Sequence, residues 1–220
     1  MRDLVFNLNL KSLVVLAALQ LLLVPTIAGA AAGSRCDETR KAVPKLYCRG
    51  MHEIGVSFGY GVGFQVGAPN PELEDTRFIV LSPRLGILSS NPLGEGRWYE
   101  SNFQLLAEAT LLTQHEPKKG VAGGGGLLFR MNFLGARERY ALVPYIDYGM
   151  GMVSLDFDLR DQDDGWAFTL LVGAGLRRML DDRSAVSLEW RYHHISNADT
   201  HGENHGINTH IFALSYSFFY

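Results

Sequence analysis

His194, Ser196 and Asn208 are the residues of this chain whose types and spacing could do chemistry; they stand in the stretch YHHISNADTHGENHGIN, residues 192–208. A serine hydroxyl within reach of an imidazole, with the imidazole oriented by a third polar group, is the general arrangement of an activated nucleophile. Such a hydroxyl attacks an acyl ester while the imidazole takes up and returns the proton. The question is which elements would bring the three together, and onto which surface.

Period-2 alternation answers it. Over 185–196, Val186, Leu188, Trp190 and Tyr192 share one face, opposite Ser187, Glu189, Arg191 and His193. His194 and Ser196 continue the apolar parity. The carboxy-terminal HIFALSYSFFY puts Phe212, Leu214, Tyr216, Phe218 and Tyr220 on one parity and Ala213, Ser215 and Ser217 on the other. Counted back from Tyr220, Asn208 and His210 fall on the apolar face as well. The two strands of a hairpin bring such groups within side-chain reach.

The rest of the chain repeats the pattern. Ile54, Val56, Phe58, Tyr60, Val62, Phe64 and Val66 alternate with Gly55, Ser57, Gly59, Gly61, Gly63 and Gln65. Large apolar groups on one side and tiny or polar ones on the other fit a narrow barrel that must be filled inside. The same explanation covers Gly123 to Gly126, since no strand-then-helix context makes them a phosphate-cradling loop. Further strands are expected near 77–88, 98–114, 121–134, 141–156, 166–180, 185–196 and 207–220. Breakers separate them: Pro69-Asn70-Pro71, Asn91-Pro92, Pro117 with Gly120, Gly135, Asp163-Asp164-Gly165 and Asp181-Asp182. With the first strand the count is eight, the smallest usual antiparallel transmembrane barrel of the outer membrane. The expected class is therefore all-β.

The amino terminus fits export. Arg2 and Lys11 precede an apolar run from Leu13 to Ala32 that ends in small residues, the order of a secretory signal peptide. The expected organisation is a signal peptide over 1–32, a periplasmic segment over 33–52 and the barrel over 53–220. Cys36 and Cys48 are the two cysteines, both ahead of the first strand, and an oxidising compartment would let them pair as a staple. A net charge of −3 lacks the basic excess of a nucleic-acid-binding protein. An even strand count returns both termini to the periplasmic side, so loop 197–206 would lie at the outer surface. The hydroxyl, imidazole and amide then face outward at the level of the outer leaflet. Water at the headgroup level could satisfy them there, or they could attack a lipid ester without extracting it from the membrane.

The segment His194-Ile195-Ser196-Asn197-Ala198, followed by Asn204, Gly206 and Ile207, closely resembles the carboxy-terminal signature of the lipid A 3-O-deacylases, the PagL-type acyloxyacyl hydrolases. The resemblance implies an eight-stranded outer-membrane barrel with its active site on the lipid-facing wall. It implies Ser196 as nucleophile, His194 as general base, Asn197 as a residue that matters for activity and Asn204 as the oxyanion donor. The family's best-known pattern has a glutamate where this chain has Asn208. An asparagine can still hold the ring and fix its tautomer, but it brings no negative charge. Glu203 is the other candidate partner for His194, if the loop folds back.

The expected activity is that of a serine esterase hydrolysing the 3-O-linked acyl chain of lipid A in lipopolysaccharide, with no cofactor. The partners are lipid A and outer-membrane lipids, and a homodimer is compatible with the pattern. A phospholipase-type hydrolase and a non-enzymatic structural or adhesion barrel with a decayed site are the rival readings. A metal site is the rival for the histidines, because His193, His194, His201, His205 and His210 crowd one region. Parity sends His193 inward, however, and Gly202 and Gly206 argue against a helix aligning His201 with His205. The expectation is therefore no metal. Trp190 and Phe212 are the aromatics expected to flank the site.

Overall fold

The computed structural model describes residues 47–66, 71–94, 96–135, 142–157, 159, 162–200 and 202–220. Eight strands run in chain order: β1 (His52–Phe64), β2 (Arg77–Leu88), β3 (Ser101–Glu116), β4 (Gly120–Phe133), β5 (Leu142–Asp156), β6 (Gly165–Met179), β7 (Ser184–Ser196) and β8 (Ile207–Phe219). One turn of helix, α1 (Pro71–Glu74), lies between β1 and β2. Each strand pairs antiparallel with the next, and β8 pairs with β1, from Glu53↔Phe219 to Phe64↔Asn208, which closes the sheet into a barrel. Closure removes the unpaired backbone edge that hydrocarbon would not tolerate. The signal peptide expected over 1–32 lies outside the described residues, as do Cys36, His201 and most of the segment expected over 33–52. Cys48 is disulfide-bonded.

The strands fall where the alternation puts them, with one difference at β3, expected from residue 98 but beginning at Ser101. Trp98 and Tyr99 belong instead to a turn closed by Arg97 N donating to Gly94 O at 3.0 Å and Glu100 N to Arg97 O at 3.0 Å. An aromatic pair favours a strand on propensity, but here the turn's own hydrogen bonds prevail and Trp98 stays 88% exposed.

The outer wall is apolar. Ile54, Phe58, Leu85, Leu127, Leu188 and Leu214 are all exposed on it, far more contiguous apolar surface than a water-soluble monomer presents. This is the lipid-facing belt of an outer-membrane barrel. The lumen is filled in tiers. At the end bearing the carboxy terminus, Tyr47 packs against Leu134, Val143, Ala185 and Phe219, and its carbonyl accepts from Asn102 Nδ2 at 2.7 Å. At the opposite end, Leu73 of α1, Phe78, Val153, Phe157, Ile195 and Ile207 form an apolar plug.

Between the two apolar tiers lies a layer of buried charge. Arg130 holds Asp147 through two bonds of 2.7 and 2.8 Å. Arg177 reaches Glu53 at 3.1 Å. Arg191 bridges Glu108 at 2.7 Å and Glu189 at 2.8 Å, and Arg84 binds Glu189 at 2.9 Å. Tyr145 donates to Glu189 at 2.8 Å, and Gln104 and Ser217 each donate to Glu53 at 2.6 Å. Four arginines thus face four carboxylates. Each ion left the solvent at a cost of several kcal/mol, which only multiple short contacts offset. Parity explains why these charges point inward; the pairing itself comes from how the strands are sheared past one another.

Candidate active site on the lipid-facing wall

β7 and β8 run side by side in the register His194↔Asn208, Tyr192↔His210 and Ile195↔Ile207. Ile195 and Ile207 turn inward and are fully buried, which drives their neighbours to the outer wall. His194 and Asn208 are therefore directly opposite one another on the membrane side. Their side chains meet: Nδ1 of His194 lies 2.7 Å from Oδ1 of Asn208. Tyr192, one step along the same face, donates its hydroxyl to the same Oδ1 at 2.8 Å. Asn208 is only 6% exposed, so its carbonyl is committed to these two partners.

Ser196 ends β7, two residues beyond His194 and on the same face. Its Oγ lies 3.1 Å from Oδ1 and 3.0 Å from Nδ2 of Asn204, and it accepts from the backbone N–H of Ala198 at 3.1 Å. Among the described residues none of its hydrogen bonds runs to His194. The two side chains nonetheless share one strand face at the i, i+2 spacing of about 7 Å. Contacts of this kind often close only when substrate is bound.

The turn after Ser196 is tight. Ala198 and Asp199 have φ of 54° and 57°, the left-handed region that L-residues avoid, and such strain gathers at functional sites. Asn197 pins the turn from inside: its Oδ1 accepts from Asp199 N at 2.9 Å, its carbonyl from Thr200 Oγ1 at 2.7 Å, and its N–H donates to Asn204 Oδ1 at 3.1 Å. Asn197 is 1% exposed. Its hydrogen bonds to described residues run to the turn, Glu203 and Asn204.

Asn204 is held in place by the neighbouring loop. Gln162, from the β5–β6 connection, bridges to Asn204 in a short antiparallel contact, and its Oε1 accepts from Gly206 N at 2.9 Å. Asp163 N donates to Glu203 O at 3.0 Å. Asn204 Nδ2 also donates to Asp199 Oδ1 at 2.9 Å. Two glycines make the arrangement sterically feasible. At Gly202, with φ of 51°, a Cβ would collide with the Asp163 carboxylate; at Gly206, with φ of 76°, it would come within 3.0 Å of His194 Cε1.

All five residues singled out in the sequence thus gather at one end of the β7–β8 hairpin. Glu203 does not join them as a partner of the imidazole. Its side chain is exposed, and its contacts in this loop run through the backbone carbonyl, to Asp163 N and, at 3.4 Å, to Asn197 Nδ2. Asn208 takes that place. Of the other histidines, His193 points into the lumen and His210 stacks on Phe64 at 4.1 Å. Among the described residues no group of three His, Cys, Asp or Glu is placed to hold a metal ion. Two participants escaped the sequence reading. Tyr192 shares the parity of His194, which was a usable signal; Gln162 lies more than thirty residues away in a loop without periodicity.

The flanks of the cluster are apolar. Across β6, Phe168 is the register partner of Ser196 and Leu170 of His194. Trp190 and Phe212, paired with each other, continue the outer wall.

A closed eight-stranded barrel with an apolar exterior, a charged interior and this polar cluster on its lipid-facing wall defines an integral protein of the outer membrane. Residues 86–217 match the model of the lipid A 3-O-deacylase (PagL) family, and the chain belongs to that family. No curated protein matches the chain. Solved structures similar to it include Neisserial surface protein A, at 11% identity and a TM-score of 0.48 over 77% of this chain and 94% of that one. The outer membrane enzyme PagL aligns at 20% identity and a TM-score of 0.46, over 74% and 97%. Ail, the attachment invasion locus protein of Yersinia pestis, aligns at 13% identity and 0.46, over 78% and 99%.

Proposed function

We propose that the chain is a serine esterase that removes the 3-O-linked acyl chain of lipid A within the outer membrane. The observation that carries this reading is the placement of His194, held by Asn208, and of Ser196 on the same outward face, at the loop end of the β7–β8 hairpin. Family membership supports the substrate class.

The steps follow from the atoms. With Nδ1–H donated to Asn208, the Nε2 lone pair of His194 is free to accept the Ser196 hydroxyl proton. Oγ attacks the ester carbonyl, and the carbonyl oxygen takes up the negative charge of the tetrahedral intermediate. Asn204 Nδ2 and the N–H of Ala198, both within hydrogen-bond distance of Oγ at rest, are the donors for that oxyanion. Collapse expels the sugar alkoxide, which takes the proton from the imidazolium and leaves an acyl-enzyme on Ser196. Water, deprotonated by His194, then releases the hydroxy fatty acid and restores the serine. Asn208 orients the ring without charging it, so the imidazolium gains less stabilisation than a carboxylate would give. Phe168, Leu170 and Trp190 offer an apolar bed for the acyl tail. Export with removal of the 1–32 leader belongs to the same reading.

Mass spectrometry of lipid A from cells expressing the chain, beside a Ser196→Ala control, tests the proposal. Loss of one hydroxyacyl mass only with the intact serine is expected. Unchanged lipid A, with both proteins folded in the outer membrane, would sink the reading.

A further inference from the structure

An amide is asymmetric where a carboxylate is not. A carboxylate facing His194 presents an acceptor oxygen in either orientation, whereas Asn208 offers an acceptor one way round and a donor the other. If Nδ2 faced the ring, it would donate to Nδ1, the imidazole proton would move to Nε2, and the ring could no longer take a proton from Ser196. Something must choose the orientation.

We propose that Tyr192 makes that choice: it is a positioning residue that locks the Asn208 carbonyl toward His194 and so holds the imidazole in the Nδ1–H tautomer. The inference rests on the esterase reading for its catalytic consequence, though not for its structural content. Three observations carry it. The Tyr192 hydroxyl and His194 Nδ1 converge on one atom, Asn208 Oδ1, at 2.8 and 2.7 Å. Asn208 is buried against the wall, so bulk water does not compete for its carbonyl. The Tyr192 hydroxyl has no other hydrogen-bond partner among the described residues.

The chemistry of a phenol gives the bias its sign. The hydroxyl lone pairs are delocalised into the ring, so a phenol donates better than it accepts. On a lipid-facing wall, an O–H that gave up its acceptor would be left unsatisfied in an apolar setting. Donation therefore selects Oδ1 over Nδ2, and the same Oδ1 then accepts from His194. The register sets this up: Tyr192 lies diagonal to Asn208 across the β7–β8 pair, within reach of a long side chain. The backbone alone does not fix the amide, because rotation about the terminal torsion exchanges the two orientations.

The test is a double-mutant cycle with a spectroscopic readout. Tyr192→Phe keeps the ring and removes only the hydroxyl; Asn208→Asp makes the partner symmetric. Both are assayed for deacylation of lipid A in detergent micelles, with folding verified by heat-modifiable migration. In the Asn208 protein, Tyr192→Phe is expected to lower kcat about tenfold with KM unchanged, the size of one lost orienting hydrogen bond. In the Asn208→Asp background the same change is expected to cost less than about twofold, because either oxygen serves. Nitrogen-15 NMR of His194 reads the tautomer directly, and Tyr192→Phe is expected to shift population from Nδ1–H toward Nε2–H. Equal losses in both backgrounds, or an unchanged tautomer ratio, would overturn the inference. An inactive parent protein would remove the esterase reading alone, since the NMR ratio still decides the role of Tyr192.

Discussion

Asn204 grips the Ser196 hydroxyl from across the β7–β8 loop, with Nδ2 at 3.0 Å and Oδ1 at 3.1 Å from Oγ. The amide also ties Asn197 and Asp199 into the same turn. One side chain therefore does two jobs, support of the turn and presentation of a donor beside the Ser196 oxygen.

Those jobs separate by substitution. Asn204→Ala removes both and is expected to lower kcat by about 10²–10³, the cost of losing one oxyanion donor. Asn204→Asp keeps an acceptor for Asn197 N but loses the donor to Ser196 and sets a second carboxylate against Asp199. Steady-state deacylation in micelles should place it near Asn204→Ala in kcat. A rate near that of the parent would assign Asn204 to the turn alone.

Gly206 makes room for the imidazole. Gly206→Ala adds a Cβ that would come to 3.0 Å of His194 Cε1, at a φ of 76° that L-residues resist. The ring must give way by a few tenths of an ångström. We expect a drop in kcat of at least about tenfold, as small displacements of catalytic groups produce, with the barrel intact by circular dichroism. Full activity in a folded Gly206→Ala protein would show that His194 needs no such fixed position.

The buried charge layer should reveal itself in stability. Arg130→Met leaves Asp147 inside the barrel without its two-bond partner and is expected to cost about 3–5 kcal/mol. Pairing it with Asp147→Leu removes the stranded charge, and the double variant is expected to recover most of the loss. Urea unfolding in micelles measures both. Equal destabilisation by the single and double changes would mean that packing around Arg130, not ion pairing, sets the cost.

Much of this architecture was legible because a strand has a period of exactly two residues whatever surrounds it. Eight alternating segments between breakers gave the barrel, and counting parity from Trp190 and Tyr220 put His194, Ser196 and Asn208 on the outer wall. Where local hydrogen bonding competed with propensity, as at Trp98 and Tyr99, the boundary moved. The lumen shows the same limit. Parity aimed Glu189 and Arg191 inward, yet nothing in the order of residues says that Arg84 would share Glu189 with Arg191.

The partner of His194 marks the dividing line. The sequence by itself determined which residues face lipid and which motif they form, because alternation and motif spacing are local properties of the chain. It left Asn208 and Glu203 as rivals and gave Tyr192 and Gln162 no role. Tertiary structure decided these. The β7–β8 register sets Asn208 opposite His194 and leaves the Glu203 side chain exposed, while the β5–β6 loop brings Gln162 onto Gly206. Register and loop docking depend on how distant strands are sheared when the barrel closes, and no local pattern of residues encodes that shear.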